Sequence, residues 1–138
     1  MMLANSLKIN DKISNFSLID QFDRRHIINS EISTIIVTFQ KETLNMINDF
    51  LSSKDKNFLE RNHTVFISNI AISPSIITRM FTIPKLRDYK YNILLIYDEN
   101  NTKFLEEKDK ATIYLISNAQ VTNIIYISTK YELEELFK

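Results

Sequence analysis

Cysteine is absent from this 138-residue chain. With it go thiol–disulfide exchange, cysteine-based peroxide chemistry, thiolate metal centres and disulfide staples. Glycine is absent as well, where average usage of roughly 7% would supply about ten. The Gly-rich phosphate cradles of P-loops and dinucleotide folds are therefore excluded. Backbone positions with φ > 0 must fall to Asn and Asp, the next most tolerant residues, at turns such as Asn100–Asn101 and Ser117–Asn118. Neither charge is in excess: Lys+Arg and Asp+Glu each number 17. The basic surplus that drives phosphate-backbone binding is missing, and no nucleic-acid partner is expected. No run approaches the ~18–20 apolar residues of a membrane helix, so an integral membrane protein is not expected.

Hydrophobic residues make up 44% of the chain, enough at this length for one domain with its own core over 1–138 and no staples. Residues 1–8 are expected to form a flexible N-terminal segment. Leu3-Ala4 resembles the small-residue end of a signal cleavage site. That implies a processed periplasmic chain; an intact cytosolic one is the alternative.

The pattern alternates strands and helices. Phe16 and Leu18 flank Ser17, a turn falls near Asp23-Arg24, and Ile27-Ile28 follow, which reads as an N-terminal β-hairpin. Ser33 to Phe39 is a β-branched run without polar alternation, expected as a buried central strand. From Lys41 to Leu59 the period becomes helical through Leu44, Ile47, Leu51 and Phe58, with a break near Ser52-Ser53. His63 to Ile72 is again strand-like. Ser73-Pro74 reads as a helix start with Ile76, Ile77, Met80 and Phe81 facing inward and Pro84 ending or kinking the helix. Ile93 to Tyr97 is a third buried strand, closed by a turn over Asp98 to Asn101. Ala111–Ile116 and Val121–Ile127 form a hairpin around Asn118-Ala119-Gln120, and Thr129 opens a last helix with Leu133, Leu136 and Phe137 inward. This order predicts an α/β fold: a mixed central β-sheet flanked by helices, with an N-terminal hairpin.

The order, and the opening Phe16-Ser17-Leu18-Ile19-Asp20-Gln21-Phe22-Asp23, resemble thioredoxin-fold proteins of the peroxiredoxin-like branch. Asp23 stands where that branch places Gly. Four pieces are similar to an uncharacterised proteobacterial family, some of whose members carry the label FAD/FMN-containing dehydrogenase. They are Asp20 to Asp23, Ser73 to Phe81, Ile83 to Tyr89 and Ile93 to Ile96. The first resemblance implies a thioredoxin-like fold, and the second a cell-envelope location.

In redox-active members of the fold the nucleophilic Cys begins the helix after the first central strand. The matching stretch is Thr38-Phe39-Gln40-Lys41-Glu42-Thr43, which holds no thiol. The facing cis-Pro position falls on Ala111 or, in a competing alignment, Asn92; an ordinary trans bond is expected at either.

The resemblance thus implies a non-redox binding or accessory protein of the bacterial envelope. Its expected binding face is Phe39, Gln40, Lys41, Glu42, Thr43, Ser73, Pro74, Ala111 and Thr112, with a protein partner or a homodimer as occupant and no cofactor. The alternative is an enzyme with non-thiol chemistry, either a flavin-dependent oxidoreductase or a hydrolase. No catalytic residue is singled out. His26 and His63 lack a second ligand at metal spacing and are expected at the surface, so no metal site is predicted. Asp98-Glu99 followed by Asn100-Asn101 is read as a turn rather than a cation loop. Lys85, Arg87 and Lys90 with Tyr89 and Tyr91 form one basic–aromatic cluster, read mainly as a polar loop with its tyrosines on the sheet; the alternative is a contact with an anionic ligand or a partner protein.

Overall fold

The computed structural model describes residues 6–71, 78–98 and 102–138. The expected helix start at Ser73-Pro74 and the turn residues Asn100–Asn101 lie outside these. β1 (Phe16–Asp20) and β2 (Arg25–Ile28) make the N-terminal hairpin. β3 (Thr34–Thr38) follows, then α1 (Lys41–Ser52), the short α2 (Phe58–Arg61) and β4 (Thr64–Asn69). A π-helical turn over Thr78–Thr82 runs into the short α3 (Ile83–Leu86), which leads to β5 (Ile93–Ile96). β6 (Ala111–Ser117), β7 (Gln120–Ile127) and α4 (Lys130–Leu136) close the chain.

The seven strands form one mixed sheet in the order β2-β1-β5-β4-β3-β6-β7. β3, β4 and β5 are parallel neighbours, while β1 runs antiparallel to β5 and β6 antiparallel to β3. β3 sits between β4 and β6 and all five of its residues are buried, as a run lacking polar alternation requires.

The alternation of strand side chains splits the core into two layers. Ile36, Phe66, Ile93, Leu95 and Ile113 pack beneath Leu44, Ile47 and Leu51 of α1 and Leu133 of α4. On the opposite face Ile35, Val37, Ile67, Leu94 and Tyr114 are covered by Leu7, Ile13 and Phe104 from irregular segments. The free N-terminal stretch expected over residues 1–8 therefore does not extend to Ser6 and Leu7. Both are buried; Leu7 N–H donates to the Lys103 carbonyl at 2.8 Å, and the Tyr114 hydroxyl donates to the Leu7 carbonyl at 2.9 Å. Burial pushes the Tyr114 phenol up to about 12.

One expectation just before Pro84 fails. Met80 and Phe81, expected to face inward, are 62% and 61% exposed. A π-helical turn spreads five residues over one loop of backbone, so the i, i+3, i+4 spacing of a regular α-helix no longer decides which side chains turn inward. Of the two outcomes expected at Pro84, ending the helix does not occur: it stands in the first turn of α3, where the π-helical turn passes into α-helix.

Without glycine, six described residues take φ > 0: Asn10, Asp23, Asp109 and Asn118, as expected of Asn and Asp, and also His63 and Ala119. Asn118 (φ 53°) and Ala119 (φ 62°) together form the β6–β7 turn, a conformation that hairpins usually give to Asn-Gly.

Candidate functional site

The parallel strands β3 and β4 end on the same side of the sheet, and α1 starts there. Gln40 is the N-cap of α1, with extended backbone angles, yet its side chain does not cap the helix. Its carbonyl accepts Leu44 N–H at 2.9 Å and the Thr43 hydroxyl at 3.0 Å. Its side-chain Oε1 accepts the Asp109 N–H at 2.7 Å, tying the start of α1 to the loop that enters β6.

The register of β6 against β3 pairs Thr112 with Val37 and so brings Ala111 beside the C-terminal end of β3. Asn92 precedes β5, which begins level with Phe66 near the middle of β4 and runs parallel to it. It therefore sits toward the opposite end of the sheet from α1. Of the two positions considered for a facing proline, Ala111 is the one next to the helix start. No peptide bond among the described residues is cis.

Phe39, Gln40, Lys41, Glu42, Thr43, Ala111 and Thr112 thus come together, whereas Ser73 and Pro74 lie outside the described residues. Only part of the gathered set reaches solvent. Lys41 and Glu42 are exposed and Gln40 is half-buried. Phe39, Thr43, Ala111 and Thr112 are buried, and the Thr112 hydroxyl donates to the Leu105 carbonyl at 2.8 Å. Thr43 likewise spends its hydroxyl on Gln40 and is no free nucleophile.

Beside this cluster a groove of about 410 Å³ opens between α1 and the 81–89 segment. One wall is Gln40, Lys41, Leu44, Asn45 and Asn48; Ser68, Asn69 and Ile70 at the end of β4 form the floor; Phe81, Lys85, Leu86 and Tyr89 form the other wall. Of this wall the sequence marks Lys85 and Tyr89 through the basic–aromatic cluster, whereas its helical spacing assigns Phe81 to the core. The exposed ring is instead offered to the groove.

The basic–aromatic cluster divides. Lys85 and Tyr89 line the groove, while Tyr91 is buried with its hydroxyl donated to Asn48 Oδ1, and burial raises its phenol well above the usual range. Arg87 donates from Nε to the Gln21 carbonyl at 2.8 Å, and Lys90 lines a different hollow.

That second hollow, about 590 Å³, lies at the other end of the sheet and includes Arg24, His26, Glu31, Lys56, Glu60, His63 and Lys90. His63 is exposed as expected. His26 is not a free surface residue: its Nε2 is 2.6 Å from Oδ2 of Asp20, a fully buried carboxylate. Asp20 Oδ1 also accepts the N–H groups of Phe22 and Arg24 at 2.8 and 3.0 Å. Burial opposes ionisation of Asp20, but the His26 bond and these two amides outweigh it and hold the carboxyl below its ordinary value of 3.8. Among the described residues no group of three His, Asp or Glu could hold a metal ion.

Solved structures share this architecture. The thioredoxin domain of a thiol-disulfide oxidoreductase from Bacteroides vulgatus is similar over 96% of this chain and 100% of that one, with a TM-score of 0.55 and 14% identity. The fold is thioredoxin-like. Peroxidoxin BcpB from Mycobacterium tuberculosis matches over 95% of this chain and 94% of its own, with a TM-score of 0.55 and 12% identity. A SCO1/SenC family lipoprotein from Bacillus anthracis matches over 96% and 97%, with a TM-score of 0.54 and 11% identity. No protein-family model and no curated protein matches the sequence. The resemblance to the family labelled FAD/FMN-containing dehydrogenase therefore gains no support. On the thioredoxin-like scaffold the helix start after β3 reads Gln40-Lys41-Glu42-Thr43, with no thiol in the chain. No helix among the described residues is long and apolar enough to cross a membrane.

Proposed function

We propose that this chain is a non-redox binding or accessory protein that keeps a thioredoxin-like scaffold and uses the groove between α1 and the 81–89 segment as its binding site. The observation that carries the reading is the pairing of a dismantled thiol site with an open groove beside it, into which Phe81 is offered at 61% exposure. Large aromatics left in water at the rim of a concave site supply contact area when a partner arrives. Among the described residues no carboxylate or imidazole lines the groove, so these side chains offer no acid–base pair for hydrolysis. A lipoprotein among the structural neighbours supports placing the protein in the bacterial envelope.

Two measurements on the purified full chain test this. Insulin-disulfide reduction and hydrogen-peroxide consumption are expected to stay at the rate of buffer alone. A small-fragment screen followed by ¹H–¹⁵N NMR is expected to perturb amides within 40–48 and 81–89. Clear turnover in either assay overturns the reading, as do fragment responses confined to other parts of the chain.

A further inference from the structure

The charge lining the groove narrows the chemistry of what it holds. Among the described residues its ionisable side chains are Lys41 on the α1 wall and Lys85 and Tyr89 on the facing wall, with no Asp or Glu. Both lysines are exposed, and neither forms an ion pair with any described residue. Two like charges facing one concave space repel each other unless an anion lies between them. The 12-residue helix α1 adds its positive end on the same side. Glu42, in the first turn, is exposed and does not line the groove.

Between the lysines the lining is largely apolar, from Leu44, Ile70, Phe81 and Leu86, with the carboxamides of Asn45 and Asn48 among them. The volume, about 410 Å³, falls within the roughly 300–1,000 Å³ usual for small-molecule sites.

We propose that the groove binds a small molecule carrying one carboxylate on an apolar body. The carboxylate bridges Lys41 and Lys85, and the body lies against Phe81 and Leu44. This rests on the groove being the binding site. A carboxylate is favoured over a phosphate because the described lining residues offer neither the guanidinium fork nor the backbone cradle by which phosphates are usually gripped. Two separate ammonium groups with the apolar side chains of Leu44, Ile70, Phe81 and Leu86 between them suit a single flat anion attached to a hydrophobic group. The larger hollow at the other end of the sheet mixes Arg24, Lys56 and Lys90 with Glu31 and Glu60, so it has no such bias.

The experiment is an NMR titration of the ¹⁵N-labelled full chain with phenylacetate, phenylacetamide and phenyl phosphate. Phenylacetate is expected to shift amides within 40–48 and 81–89 saturably, and phenylacetamide to bind there roughly tenfold more weakly. Lys41→Gln and Lys85→Gln should each weaken phenylacetate by roughly fivefold. Lys56→Gln, in the opposite hollow, should leave it unchanged. Equal binding of the acid and the amide in the groove overturns the carboxylate assignment and leaves the groove as a binding site. Tighter binding of phenyl phosphate also overturns it, in favour of a phosphorylated ligand. Shifts centred on Arg24, Lys56 and Lys90, or no saturable binding of any probe, overturn the carboxylate site together with the groove on which it rests.

Discussion

Ala119 has φ 62° in the two-residue turn between β6 and β7. For an L-residue with a Cβ the left-handed region costs on the order of 1–2 kcal/mol, and only Gly enters it freely. Asn118, beside it, is already a favoured first residue of such a turn. Ala119→Gly is therefore expected to stabilise the protein by about 1 kcal/mol, the strain relief exceeding the added freedom of the unfolded chain. Urea unfolding checks this: the midpoint should rise, and a fall would show that the turn carries no strain at Ala119. Thr38 is a different single-residue problem. It ends β3 fully buried, and its hydroxyl has no hydrogen-bond partner among the described residues. Burying a hydroxyl without a partner costs about 1–3 kcal/mol. Thr38→Val keeps the shape and removes the orphan, so a gain of about 1 kcal/mol is expected in the same assay. A loss would mean the hydroxyl is satisfied in solution.

Among the elements, α4 depends most visibly on a local device. Thr129 accepts Glu132 N–H at 3.2 Å, and Glu132 Oε1 in turn accepts Thr129 N–H at 3.2 Å, a reciprocal capping box. A helix of seven residues is too short to hold itself, and tertiary contacts supply the rest: Leu133 is buried against the sheet, Leu136 packs beside it, and the ring of the C-cap residue Phe137 meets Phe50 and Phe58. Thr129→Ala should cost about 1 kcal/mol, read as a lower midpoint in thermal unfolding followed by circular dichroism. An unchanged midpoint would place the stability of α4 in these tertiary contacts alone. This helix, β3 and the β6–β7 hairpin were legible from sequence because each carries its own signal: a cap, an unbroken β-branched run, or paired strands around an Asn turn. The 78–89 segment was not. Its α-helical spacing assigned Met80 and Phe81 to the core, whereas a π-helical turn exposes both. That error hid the groove, whose walls come from stretches about forty residues apart in sequence. The Asp20–His26 pair was missed for a similar reason. The two residues sit on opposite strands of a hairpin, and only the fold brings a buried carboxylate to a histidine.

For the whole molecule, the decisive junction is where the β1–β2 hairpin joins the parallel part of the sheet. β1 pairs with β5 through only Ile19–Leu95 and Asp20–Leu94, so side chains must hold the rest. Gln21, fully buried, donates to the carbonyls of Leu86 and Tyr91 at 3.1 and 2.9 Å and accepts Ile93 N–H at 2.8 Å. Asp20 fixes the turn that places Gln21 there. Its carboxyl titrates below the ordinary 3.8 in the folded chain despite its burial, because His26 and the amides of Arg24 and Phe22 favour the charged form. Between 3.8 and the lower folded-state value the unfolded chain therefore binds more protons at this carboxyl than the folded one. The stabilisation from Asp20 is fully present above 3.8 and is lost as the pH falls through the depressed folded-state value. Glu132 is also held below its ordinary 4.5 by the Ser128 amide and the Thr129 hydroxyl, but it is exposed and adds little. Asp20→Asn keeps the shape but weakens every bond the carboxylate accepts, so it should cost about 2 kcal/mol at neutral pH. The measurement is urea unfolding of both proteins from about pH 7 down to about pH 2.5, a span that brackets the carboxylate range. The two stability curves should lie apart above pH 4 and converge on the acid side, because protonation does to the native chain what the substitution does to the variant. Parallel curves at all pH values would show that the hairpin is held by Gln21 and the sheet alone, and that the charge of Asp20 has no part in it.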